Sequence, residues 1–134
     1  MEDLKKQLEE RLKTIEDCFS ETGRPQVDFS VYPEDLRLNR EAEYHALVIV
    51  EAARKIEREH GLGEIDWNDN NQIKWRNWFW LDFGSAAGFR FDGSGYGNSY
   101  AIAGCGSRLH VLSETASNYI AVQFLDVWRK VQLG

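Results

Sequence analysis

The chain has 134 residues and a formal net charge of −6, the size of one domain able to bury about two thirds of the surface its unfolded form exposes. Five Trp, five Tyr and seven Phe argue against disorder, and the longest apolar run, around Trp78 to Leu81, is far short of the roughly twenty residues of a membrane-spanning helix. The acid is concentrated early: residues 1–71 hold ten Lys and Arg against eighteen Asp and Glu, and residues 72–134 hold six against four. An acidic chain is a poor non-specific binder of phosphate backbones, which leaves only a local basic face in the second half for that role. Cys18 and Cys105 lie far apart without CxxC spacing or a signal peptide, the pattern of reduced cytosolic thiols.

In chain order, Met1, Leu4, Leu8, Leu12, Ile15 and Phe19 recur at helical spacing, predicting one amphipathic helix over 1–20 that packs at the surface. Thr22-Gly23-Arg24-Pro25 stops it. A connector follows, in which Pro33 opens a short helical turn through Leu36. A second long helix is then predicted from an Asn39 cap to Gly61, with Ala42, His45, Ala46, Ile49, Ala52, Ala53 and Ile56 as its buried stripe. His45 reads as a packing residue, with no second ligand one turn away. Asp66, Asn68 and Asn70 imitate the start of a calcium loop, but Asn71 replaces the turn glycine and Asn77 the bidentate glutamate, so Asx turns are expected instead.

Residues 72–112 carry most of the aromatic side chains and glycines and read as a sheet. Trp75, Phe79, Leu81 and Phe83 alternate with Arg76, Trp78, Trp80 and Asp82, with Asn77 in the first set. A turn at 84–88 follows. Phe89 and Phe91 then alternate with Arg90 and Asp92, a glycine loop spans 93–98, Tyr100 and Ile102 form a third strand, and Leu109 and Val111 alternate with Arg108 and His110. Ser113 caps a final helix with the stripe Ala116, Tyr119, Ile120, Phe124, Val127, Trp128 and Val131. The fold class expected is α+β: two N-terminal helices, a three- to four-stranded antiparallel sheet, and a C-terminal helix packed on the sheet, in a single domain over 1–134.

No catalytic constellation emerges. The glycines at 93–97 lack the Lys and Ser/Thr of a phosphate loop and are expected to serve turns. The serines have no elbow context, and the three histidines are scattered. Cys105 with His110 makes the weakest candidate, a reactive-thiol or small-ligand site. A broader candidate is the sheet face opposite the core. If Trp75, Phe79, Phe89, Phe91, Tyr100, Ile102, Leu109 and Val111 face the helices, alternation places Arg76, Trp78, Trp80, Arg90, Arg108 and His110 together on an aromatic, basic surface. Such a surface suits a protein partner or a second copy of the chain, or single-stranded nucleic acid, whose bases stack on aromatics while cations follow the backbone. The alternative is that the acidic first helix covers it.

Blocks of sequence carry a resemblance: TIED at 14–17, TGRP at 22–25, YPEDLR at 32–37, DWND at 66–69, the KW and WFW stretch at 74–80, the two phenylalanines at 88–91, GSRL at 106–109, and QF at 123–124. In these the chain resembles a family of small proteins of unknown function from gut Bacteroidetes genomes and their phages and prophages. The resemblance covers nearly all of residues 14–134 and brings no catalytic residues; no cofactor or metal is expected. Many of those relatives have proline where this chain has Asn77. The expectation is a non-enzymatic binding or assembly protein, cytoplasmic or virion-borne, that meets a protein partner or itself, with single-stranded nucleic-acid binding as the alternative.

Overall fold

The computed structural model describes residues 2–69, 71–81, 89–97 and 107–133. The first twenty residues form two helices rather than one: α1 (Glu2–Arg11) and α2 (Ile15–Thr22). The break is a capping box. Thr14 Oγ1 accepts from the Asp17 amide, while the Asp17 carboxylate accepts from the amides of Thr14 and Lys13. Three amide donors that a continuous helix would bond internally are satisfied by side chains here, so the helix restarts. The apolar stripe continues through the break, and Leu4, Leu8 and Leu12 are all buried. Gly23, at φ 70°, ends α2 with its amide bonded to the Phe19 carbonyl, a conformation that favours glycine.

α3 (Glu34–Glu59) is the axis of the fold, and it starts earlier than the predicted Asn39 cap. Pro33 precedes its first turn, Glu34 and Asp35 meet the positive end of its dipole, and nothing between Leu36 and Asn39 interrupts it. Asn39 serves elsewhere, its amide nitrogen donating to the carbonyls of Lys130 and Val131 at the far end of the chain. Ala42, Ala46, Val48, Ile49, Val50, Ala52, Ala53 and Ile56 are buried, so the middle of α3 is covered on more than one side, as its nearly all-round apolar sequence predicts. His45 packs edge-on against Phe19 with centroids 5.6 Å apart, and burial pushes its pKa down.

The three- to four-stranded sheet is not what forms among the described residues. One antiparallel pair is present, β1 (Lys74–Leu81) with β2 (Phe89–Gly97), and the fold is mostly helical. The register slips between Trp78 and Phe79, where Gly93 sits at φ 143° opposite Trp78. Residues 93–97 of the expected 93–98 loop are therefore strand, and Gly93 accommodates a bulge. The expected strand around Tyr100 and Ile102, the turn at 84–88 and Cys105 lie outside the described residues.

The expected strand through Leu109 and Val111 is reduced to a single bridge. Val111 and Trp75 exchange hydrogen bonds of 2.8 and 2.9 Å, and Ser107–Leu109 is a 3₁₀ turn. Past Val111 the Leu112 amide is bound to the Glu57 carboxylate, and Ser113, two residues after the bridge, caps the helix that follows.

The C-terminal helix is also two: α4 (Glu114–Gln123), capped by Ser113 as predicted, and α5 (Leu125–Leu133). At the joint Phe124 leaves the helical conformation, at φ −114° and ψ 35°, and the Ile120 carbonyl accepts from both the Phe124 amide and the Trp128 indole. α4 covers one face of the hairpin, where Ser117 Oγ donates to Asn77 Oδ1 at 2.6 Å and Ser94 Oγ donates to Asn118 Oδ1 at 2.6 Å. Proline at position 77 could not make that bond.

Candidate functional site

One stripe of α3 carries charged residues alongside its buried apolar ones. Leu47, Glu51, Arg54 and Arg58 follow one another at spacings of four, three and four, which places them along one stripe. Three separate segments close around that stripe to make a cleft of about 450 Å³. Arg24 arrives from the loop after α2, Glu64 and Trp67 from the loop before β1, and Arg108 and His110 from the 3₁₀ turn and the residue following it.

Each wall has a physical anchor. The Tyr44 hydroxyl, rising from α3, donates to the Pro25 carbonyl at 2.6 Å and fixes the Arg24 loop. The buried Lys74 ammonium donates to the carbonyls of Asp69 and Gln72, tying down the loop that carries Trp67. Asx turns shape that loop as predicted: the Asn68 amide bonds to Asp66 Oδ1 and the Asn71 amide to Asp69 Oδ1, each at 2.9 Å. Lys74 Nζ also lies 5.2 Å from the Trp67 ring centroid, and the His110 imidazole stands perpendicular to Trp67 at 5.6 Å.

The charges in the cleft are unequally committed. Arg24 is engaged bidentately by Glu51, at 2.8 and 2.9 Å. The Glu51 carboxyl is held below its usual range by that hydrogen-bonded pair first, and then by the charges of Arg108 and Arg58, so these guanidinium groups converge on one region. Arg54 is 7% exposed and doubly tied, to Glu57 Oε1 and to the Gly63 carbonyl, each at 2.7 Å. Glu64 is held much more loosely, 3.7 Å from Arg54 and 3.3 Å from Arg58, with its side chain 74% exposed. Arg108 is exposed and makes no ion pair among the described residues.

The six residues expected to share one sheet face are thus distributed. Arg108 and His110 come together in the cleft, against α3 rather than beside β1. Arg76 is exposed on β1 and does not line the cleft. Trp78 pairs in register with Gly93, and Trp80 with Arg90; the side chains of these three lie outside the described residues. Among the described residues α1 packs against α3 and α4. Arg24, Arg54, Arg58 and Trp67 were not anticipated as site residues. The four–three–four spacing on α3 was the available signal for two of them.

Other reactive groups have structural employment. The Cys18 thiol is fully buried, and burial pushes its pKa up to about 12, away from the thiolate. Among the described residues no group of His, Cys, Asp and Glu side chains could hold a metal ion, and no helix is long and apolar enough to cross a membrane. Comparison with protein-family models, curated proteins and solved structures finds no match.

Proposed function

We propose that the protein is a non-enzymatic binding protein whose arginine-lined cleft receives an anionic partner. The observation that carries this reading is the convergence of Arg24, Arg54, Arg58 and Arg108 on one cleft, opposed among its lining residues by only Glu51 and Glu64. Arginine forks match phosphate and carboxylate oxygens in pairs. The cleft volume lies within the range of pockets that take small ligands. The buried Glu57 beside Arg54 is committed to hydrogen bonds with Arg54, Leu112 and Ser113, which favours binding over chemistry. Melting the protein with and without pyrophosphate tests it: a rise in Tm at low salt, smaller at moderate salt and absent in Arg108→Ala, is the expected result. No shift at low salt in the native chain removes the reading.

A second reading, contact with a protein or a second copy of the chain, is favoured by the start of α3. Val31, Tyr32, Leu36 and Leu38 are 80, 41, 41 and 55% exposed there, and the helix has no buried residue before Ala42. The resemblance to phage and prophage proteins supports an accessory or assembly role of this type, in host cytoplasm or virion. Light scattering over a concentration series distinguishes the two: self-association abolished by Leu36→Glu supports the contact, and a monomer at every concentration sets self-association aside.

A further inference from the structure

The cleft has two ends of different chemistry. At one, Glu64 lies against Arg54 and Arg58 at distances too long for good hydrogen bonds, on a loop that leaves α3 through Gly61 and Gly63, both at positive φ. A carboxylate so placed occupies the position of an external anion, and because it is mostly exposed it can swing away at little cost. At the other end stands Trp67, held in orientation by Lys74 and His110 yet 37% exposed. An indole fixed in this way is a stacking surface for a flat heterocycle.

We infer, building on the anion-binding reading, that the ligand is a nucleotide: its phosphates displace Glu64 from Arg54 and Arg58, Arg108 closes over them, and its base lies against Trp67. The exchange is one anion for another at the same guanidinium groups, so Arg54 keeps its bonds to Glu57 and Gly63 and the fold beneath is undisturbed. Discrimination then rests on the base, because pyrophosphate alone gains nothing from the indole.

Isothermal titration of the full chain with ADP and with pyrophosphate at low salt tests this, with circular dichroism confirming that each variant is folded. ADP is expected to bind at least about tenfold more tightly than pyrophosphate, and Trp67→Leu to abolish that difference while Trp67→Phe retains most of it. Glu64→Gln should tighten ADP binding about two- to fivefold by removing the resident anion, and Arg58→Ala should weaken it about tenfold. Equal affinities for ADP and pyrophosphate, indifferent to Trp67, overturn the nucleotide assignment and leave the anion site standing. Absence of binding by either probe overturns both. An affinity unchanged in Glu64→Gln overturns the displacement. A 5′-phosphorylated single strand that competes with ADP identifies the nucleotide's source as a strand end, and one that does not compete identifies it as a free nucleotide; each outcome supports the assignment.

Discussion

Glu57, 0% exposed near the end of α3, accepts a 2.5 Å hydrogen bond from the hydroxyl of Ser113, the residue that caps α4. The same carboxylate takes the Leu112 amide at 2.9 and 3.1 Å and the Arg54 guanidinium at 2.7 Å. Removing Glu57 would leave a buried guanidinium and an amide without their acceptor. Glu57→Ala is therefore expected to cost about 3–5 kcal/mol in urea unfolding. Ser113→Ala, which loses the cap but leaves the ion pair, should cost about 1–2 kcal/mol.

The restart of the helix at Thr14 makes a local test. Thr14→Ala removes one acceptor of the capping box and is expected to lower stability by about 1 kcal/mol. An unchanged denaturation midpoint would mean that packing of Leu12 and Ile15 alone sets the break.

Three helices meet at a charge cluster, with Arg11 of α1 bound to Glu21 of α2 at 2.7 and 3.0 Å and to Glu59 of α3 at 2.6 and 3.1 Å, and Lys55 adding a 3.0 Å bond to Glu21. The hydrogen-bonded Arg11, with Lys55 assisting, lowers the Glu21 pKa from 4.5 to about 2. A depressed carboxylate stabilises the fold fully above its unfolded pKa, and that contribution is lost as pH falls through the folded value. Stability should therefore decline between about pH 4.5 and pH 2, and Glu21→Gln should flatten that part of the profile, as read from urea midpoints at successive pH values.

Cys18 offers a chemical check. With its thiol buried and its pKa raised to about 12, a thiol reagent at neutral pH should modify it only as fast as the protein unfolds. In a Cys105→Ser background the labelling rate should rise with urea in parallel with unfolding. Rapid labelling in native buffer would contradict the burial.

Much of this was legible in the sequence, for identifiable reasons. The apolar stripes of α1 and α3, the Ser113 cap, the stop at Gly23 and the Asx turns at Asp66 and Asp69 are local consequences of side-chain spacing and backbone preference, and they read directly. The breaks at Thr14 and Phe124 are hidden because the apolar stripe runs straight across them; Thr14-x-x-Asp17 carries a signal for the first, whereas Phe124 and Leu125 carry none for the second. The last strand does not form because Ser107–Leu109 takes a 3₁₀ turn and only Val111 pairs with Trp75, and alternation at Arg108 to Val111 does not distinguish a strand from such a turn. Of the cleft residues, only Arg108 and His110 are among those the sequence singles out as a site. Arg54 and Arg58 share a stripe of α3 by spacing, but Arg24 reaches the cleft through the tertiary bond from Tyr44 to Pro25, and Trp67 through a loop held by Lys74.

Asn39 binding the carbonyls of Lys130 and Val131 belongs with two other bonds that span the chain: the Tyr119 hydroxyl to the Leu12 carbonyl, and the Gln123 amide to the Lys13 carbonyl. Helical proteins ordinarily fold fast because their contacts are local. Here the ends must find each other before α1 and α4 can seal the core between them, so the chain should fold slowly for its helix content. During synthesis the first two helices would wait, with Leu4, Leu8 and Leu12 only partly covered, until the last two emerge.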